Sequence, residues 1–325
     1  MRVGVIGSGY WGRNIVRNLL RQKEIDSLVV CDRNPAALEA IAALFPTVET
    51  LADAHDFLAD SNLAAVFVVT PPETHYELGC RALDAGKHLY IEKPFVTDSN
   101  HARELVTRAA ERSLQLMSGH TFLYSPPVRE VKRIIDRGDL GKIEFISFRR
   151  INLGIHQRAV NVVWDLLPHD LSMALYWLGD VKLSRARSFL KTSVGAHPDV
   201  GSVFMEFDNA TMMEGLVSWL SPRKLRETIV VGNRRMLIYN DTEPEEKIKI
   251  YDKKVEELEP GDFGEFQLAY RVGDVISPRV DSSEPIGLMV ADFITAIREK
   301  RPPLSDGAFG LRITEMIEQA LRNSD

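Results

Sequence analysis

Asp165 and His169 stand four positions apart in Trp164-Asp165-Leu166-Leu167-Pro168-His169-Asp170. On a helix that spacing puts a carboxylate and an imidazole on one face, a pairing suited to moving a proton. Pro168 has no N–H and is tolerated in the first helical turn, so the helix is expected to begin near Asp165. A helix N-terminus disfavours positive charge and holds His169 toward the neutral form a base requires, while a neighbouring carboxylate pulls the other way. The same spacing is met at least as readily by an Asp165 cap and a surface or core histidine. Lys93 is the next candidate. It follows the apolar run His88-Leu89-Tyr90-Ile91 in Glu92-Lys93-Pro94. If that run is a parallel strand, Lys93 lies at its carboxyl end, where open α/β sheets bind ligands; a surface lysine fits the position equally well. His120, His156 and His169 offer no close-spaced ligand pair, so no metal centre is expected.

Gly7-Ser8-Gly9-Tyr10-Trp11-Gly12 follows the strand-like run Arg2–Ile6 and precedes a helical pattern. The first glycine permits a tight turn, the second lets backbone approach a diphosphate, and the third lets helix and strand pack closely. Free N–H groups at the helix start supply donors. Asp32 ends the next strand-like run, 20 positions after Gly12, where an acid binds the ribose hydroxyls of a dinucleotide. Asp32 repels a 2′-phosphate and favours NAD; Arg33 beside it leaves NADP open. FAD suits the remaining residues less well.

These residues need elements to hold them. Up to about residue 118 apolar runs alternate with helical patterns: Leu28 to Cys31, Ala65 to Val69, His88 to Ile91 and Leu114 to Ser118, with helices over Tyr10–Lys23, Pro35–Leu44 (Asn34 as cap, Pro35 first), Glu73–Ala85 and Asn100–Arg112. That alternation means a parallel sheet covered on both faces. Farther on, helices are expected around Val128–Ile135 and from Asp165 to Leu178. Strand-like runs then cluster between Val181 and Tyr251, and helices return over Leu288–Lys300 and Gly310–Arg322. Grouped strands imply an antiparallel sheet. The expected architecture is an α/β domain with a parallel sheet over 1–120 and an α+β domain with an antiparallel sheet over 121–325, the C-terminal stretch packing back. The stretch from Phe263 to Pro285 shows little regular pattern; its Arg271 and Arg279 suit either a diphosphate or a solvated connector.

The chain has 325 residues, enough for about two domains, and its 45% apolar and 26% charged content excludes wholesale disorder. A net charge of −6 argues against nucleic acid. Cys31 and Cys80 lie far apart and form no disulfide framework. With no apolar run of membrane length and no secretory pattern at Met1–Gly12, a cytoplasmic protein is expected.

Taken in order, these pieces resemble the glucose–fructose oxidoreductase/inositol dehydrogenase (Gfo/Idh/MocA) family over nearly the whole chain. The block Thr70-Pro71-Pro72-Glu73-Thr74-His75, Ala85-Gly86-Lys87-His88 and Glu92-Lys93-Pro94 carries most of it. Gly9–Gly12, Gly119-His120-Thr121-Phe122-Leu123-Tyr124, Trp164–Asp170 and Tyr270-Arg271-Val272-Gly273-Asp274 look most like its nucleotide-sugar branch. The resemblance implies an α/β Rossmann domain plus an α+β domain with an open-faced, mostly antiparallel sheet, and an NAD(P)-dependent dehydrogenase acting on a secondary alcohol of a sugar or nucleotide sugar, with Lys93, Asp165 and His169 catalytic. Gly7, Gly9, Tyr10, Trp11, Gly12, Asp32, Arg33, Thr70, Pro71, His75, Glu92 and Lys93 then serve the cofactor. Lys93, His120, Tyr124, Asp165, His169 and Arg271 serve the substrate. Many family members continue His-x-x-Asp; here that position is Ser172, and Asp170 either replaces the carboxylate or caps the helix. Rival readings are a free-polyol dehydrogenase, a non-catalytic dinucleotide-binding regulator, and an imine or biliverdin-type reductase. An exposed sheet face would bury apolar surface between copies, so a homo-oligomer, dimer or tetramer, is expected.

Overall fold

A computed structural model describes residues 1–154, 156, 157, 159–257 and 268–324, with the backbone alone for 254–257 and 268–272. In chain order the elements begin β1 (Arg2–Ile6), α1 (Tyr10–Leu19), β2 (Ser27–Cys31), α2 (Pro35–Leu44), β3 (Glu49–Leu51), α3 (Ala54–Ala59), β4 (Leu63–Val68), α4 (His75–Asp84), β5 (His88–Glu92), α5 (Ser99–Glu111) and β6 (Leu116–Gly119). They continue with α6 (Pro126–Asp136), β7 (Ile143–Ile151), α7 (Val162–Leu178), β8 (Leu183–Lys191), β9 (Val200–Phe207), β10 (Met212–Ser218), β11 (Leu225–Gly232), β12 (Met236–Asn240), β13 (Ile248–Glu257) and β14 (Leu268–Ile276). The chain closes with α8 (Pro285–Glu299) and α9 (Gly307–Arg322).

The chain divides into two compact units, one of Met1–Tyr124 with Ser283–Glu318, the other of Ser125–Ser282 with the residues from Gln319 on. In the first, six parallel strands run in the order β3-β2-β1-β4-β5-β6. The strand order reverses between β1 and β4, which opens a crevice at their carboxyl ends. Val3, Val5, Val66, Phe67, Val68, Leu89, Tyr90 and Ile91 are buried, as a sheet covered on both faces requires. The Asn34 side chain accepts from the Ala36 N–H and caps α2, with Pro35 at the first position. β3 and α3 were not legible: β3 is one exposed and two half-exposed residues and carries no buried run.

Of the stretch 121–325 assigned to the second domain, with its C-terminal part packing back, Ser283–Glu318 belongs with the first unit. The reason is aromatic. Phe293 of α8 is fully buried and meets Phe67 of β4 edge-on at 5.4 Å and Tyr90 of β5 at 6.4 Å. Periodicity shows that α8 is amphipathic but not which sheet it covers.

The second unit holds an eight-stranded sheet in the order β14-β13-β12-β11-β7-β10-β9-β8, antiparallel throughout except for β10 on β7. α7 lies on one face, where Gly201 and Gly215 leave room for Val163 and Leu167. The stretch read as irregular after 263 contains β14, paired with β13; residues 263–267 lie outside the described residues.

Replacing Phe293 with Ala should remove about 3–5 kcal/mol of stability, read as a lowered midpoint in urea. A loss well under 1 kcal/mol would contradict the place given to α8.

Candidate functional site

Gly7 leaves β1 at φ +98°, and a Cβ there would sit 2.5 Å from the Val69 carbonyl oxygen. A Cβ on Gly12 would sit 2.1 Å from the Gly7 carbonyl oxygen. Helix α1 can therefore approach the end of β1 only with glycine at both positions. Gly9 is different: it is the N-cap of α1, and a Cβ there would meet nothing within 4 Å. The first-turn N–H groups of α1 are thus left as donors beside bare backbone, an arrangement that fits phosphate. Tyr10 and Trp11 are exposed beside it and meet edge-to-face at 5.3 Å.

Ser8 connects this turn to the acid. Its N–H and its hydroxyl both donate to Asp32 Oδ2, at 2.8 and 2.7 Å, and the Asn34 N–H donates to Oδ1 at 2.9 Å. Burial pushes the Asp32 carboxyl up, but the Asn34 and Ser8 donors and the Arg33 charge outweigh it and hold it below the usual value. Asp32 is a fixed anion, half-buried just past β2; Arg33 is exposed next to it. Ser8 was not singled out from sequence, although it lies inside the glycine pattern, and Asn34 was read only as the cap of α2.

Past β4, the Thr70 hydroxyl shares a 2.6 Å hydrogen bond with that of Thr74, and Pro71 is exposed with its carbonyl accepting from Thr74. His75 is fully buried. Its ring nitrogens lie 2.8 Å from the Thr70 carbonyl and 2.9 Å from the Pro94 carbonyl. Burial lowers its pKa against the pull of those carbonyls. It was expected to touch the cofactor; with no exposed atom, it instead ties the loop after β4 to the loop after β5. Glu92 is buried and accepts from the Tyr90 hydroxyl at 2.7 Å; burial pushes its carboxyl up. Lys93 is half-buried at the carboxyl end of β5, the strand beside β4.

His120 follows β6, the neighbour of β5, and is 1% exposed. Neither ring nitrogen has a hydrogen-bond partner among the described residues. Burial, and then the Lys93 charge, push its pKa down to about 3, so it stays a neutral imidazole. Tyr124 was expected to bind substrate, but it is 0% exposed and its hydroxyl donates to Asp292 Oδ2 of α8 at 2.8 Å. Asp292 also accepts from Arg301 and from the Leu304 N–H. Tyr124 is therefore a core residue that anchors α8.

In the second unit α7 begins at Val162, earlier than Pro168 suggested. Asn161 caps it, accepting from the Val163 and Trp164 N–H groups at 3.0 and 3.1 Å. Pro168 lies inside the helix, where it removes the hydrogen bond to the Trp164 carbonyl. Asp165 and His169 are both half-buried on α7. Trp219, just past β10, donates its indole N–H to Asp165 Oδ2 at 3.0 Å. Asp170 neither caps the helix nor stands free: it pairs with Arg150 of β7, Nε to Oδ1 at 2.8 Å, with both groups buried. Arg150 and Trp219 carried no sequence signal, since their partners on α7 lie 20 and 54 positions away along the chain. The Arg271 side chain lies outside the described residues. Among the described residues no cluster of three or more His, Cys, Asp or Glu could hold a metal ion, and no helix is long and apolar enough to cross a membrane.

Comparison with known proteins adds to this geometry. Residues 1–120 match the model of the oxidoreductase family with NAD-binding Rossmann fold, and residues 128–238 match that of the GFO/IDH/MocA C-terminal domain. UDP-N-acetylglucosamine 3-dehydrogenase of Acidithiobacillus ferrooxidans is 27% identical over 332 residues, covering 96% of this chain and 94% of the relative. Its solved structure superposes with a TM-score of 0.81 at 23% identity, covering 100% of this chain and 97% of that one. Inositol 2-dehydrogenase of Rhizobium meliloti is 26% identical over 226 residues, 67% of this chain and 68% of the relative. The WlbA dehydrogenase of Bordetella pertussis, solved with NADH and UDP-GlcNAcA, has a TM-score of 0.80 at 18% identity, covering 99% of this chain and 96% of that one. At these identities the two structures establish the shared fold.

Two glycine variants separate packing from binding. Gly9→Ala should keep the wild-type melting temperature, because its Cβ meets nothing, yet weaken NAD at least about tenfold by blocking the diphosphate. Gly12→Ala should lower both melting temperature and affinity. Unchanged NAD titration in Gly9→Ala would rule out this turn as the diphosphate site.

Proposed function

We infer the reaction from one premise: this chain belongs to the Gfo/Idh/MocA family of oxidoreductases and carries that family's NAD-binding Rossmann domain. We propose that it reversibly oxidises a secondary alcohol on the ring of a nucleotide sugar. The glycine turn with its anchored Asp32, at the reversal point of the strand order, carries the dinucleotide half of the reading. The relative named UDP-N-acetylglucosamine 3-dehydrogenase supports the substrate class, and the inositol relative supports the wider class of cyclic polyols.

NAD, when bound, supplies the hydride acceptor. The first-turn N–H groups of α1 and the bare backbone at Gly9 would hold its diphosphate, and Asp32 would accept from its ribose hydroxyls and reject a 2′-phosphate. Lys93 would donate to the reacting oxygen and stabilise its developing negative charge. His169 would take the hydroxyl proton, with Asp165 orienting the imidazole. His120, neutral and beside Lys93, would serve the substrate as a hydrogen-bonding group that does not titrate near neutrality.

The second sheet exposes Phe189, Phe204 and Met212 on the face away from α7. We assign that face to a second copy of the chain, giving a homo-oligomer. Cys31 and Cys80 are both free thiols, in keeping with a reducing compartment, and we place the protein in the cytoplasm.

The test is NADH absorbance with NAD and a panel of UDP-sugars and free polyols. Lys93→Met and His169→Ala should each lower turnover about 10²–10⁴-fold, and His169→Ala should leave the dissociation constant of NAD nearly unchanged. If both variants kept near-normal turnover, these roles would be wrong.

A further inference from the structure

We propose that Trp219 is a positioning residue for Asp165, its indole N–H fixing the carboxylate and registering the loop between β7 and α7 against it. The proposal rests on the role given to Asp165 above. Trp219 is 1% exposed, and its indole N–H donates to Asp165 Oδ2 at 3.0 Å. A buried indole N–H needs an acceptor. Here the acceptor is a half-exposed carboxylate in the first turn of α7, and a hydrogen bond to an ionised group is roughly twice as strong as a neutral one.

The main chain of Trp219 is held on both sides. Its backbone N–H donates to the Asp199 carbonyl, and its backbone carbonyl accepts from the Gly154 N–H, both at 3.0 Å. Gly154 packs so closely that a Cβ would lie 3.0 Å from the indole Cδ1. The His156 ring stands 5.2 Å from the indole, tilted by 56°, and its Nε2 lies 3.8 Å from the Asp199 carboxylate. Asp199 is fully buried and accepts from the Ser193 and Val194 N–H groups. Two loops, one before α7 and one between β8 and β9, thus meet around a ring whose single polar atom ends at Asp165. A phenylalanine would fill most of that space and leave the carboxylate without this donor. The N–H, rather than the bulk, is what the proposal requires.

The experiment replaces Trp219 in the full-length chain with β-(3-benzothienyl)alanine, which keeps the shape and lacks the N–H. Trp219→Phe serves as a second variant. Kinetics are read with NAD and UDP-N-acetylglucosamine, or the panel sugar giving the highest rate. The benzothienyl variant should lose about ten- to a hundredfold in kcat, with the KM for NAD and the melting temperature unchanged. Adding Asp165→Asn should then cost no more than Asp165→Asn alone, as expected for two groups acting as one. Independently of turnover, Asp165→Asn should move the indole ¹⁵N–H resonance of Trp219 and leave those of Trp11 and Trp177 in place. Wild-type kcat in the benzothienyl variant beside a crippled Asp165→Asn, multiplicative losses, or an unmoved resonance would overturn the proposal while sparing the role of Asp165. Full turnover in Asp165→Asn would instead overturn that role, and the proposal with it.

Discussion

The close approach of Gly12 to the Gly7 carbonyl governs the first unit. Any side chain at either position would collide with main chain, Gly7 with the Val69 carbonyl and Gly12 with that of Gly7. Bare backbone lets α1 start immediately above β1 and aims its unsatisfied N–H groups into the crevice where the strand order reverses. Ser8, caught between the glycines, turns the same geometry toward Asp32, so that one short turn sets both the free N–H groups of α1 and a fixed anion beside them.

The remaining candidate groups are held by buried polar contacts, which fix orientation through direction rather than bulk. His75 bridges the loops after β4 and β5 through the Thr70 and Pro94 carbonyls, and so sets the path of the backbone that carries Lys93. On α7, Trp219 holds Asp165 and Arg150 holds Asp170. The residues on either side of His169 are thereby tied to β10 and β7. A charge pair as deeply buried as Arg150 and Asp170 is weak as a source of stability, because desolvation offsets its attraction. Here its consequence is the rotational setting of α7.

Much of this was legible in the sequence because the relevant signals are local. The apolar runs of β1, β2, β4 and β5, the tight glycine turn, and Asn34 before Pro35 are each set within a few residues. What was not legible is non-local. Pro168 misplaced the start of α7, because the true cap, Asn161, stands four positions before Asp165 and an interior proline is tolerated where packing holds the helix. Tyr124 and His75 carry the residue types of a binding site, but their polar atoms turn inward, to Asp292 and to main-chain carbonyls. The placement of α8 depends on Phe67 and Tyr90, more than 200 residues earlier in the chain.

Transfer of hydride from a sugar carbon is the claim on which the account stands, and isotope labelling reaches it directly. The chain would be incubated with NAD and UDP-N-acetylglucosamine deuterated at the ring carbons, and the reduced dinucleotide weighed by mass spectrometry. One deuterium per NADH is the expected result. NADH without label, or NAD left oxidised by this sugar and by every other nucleotide sugar and polyol tried, would contradict it.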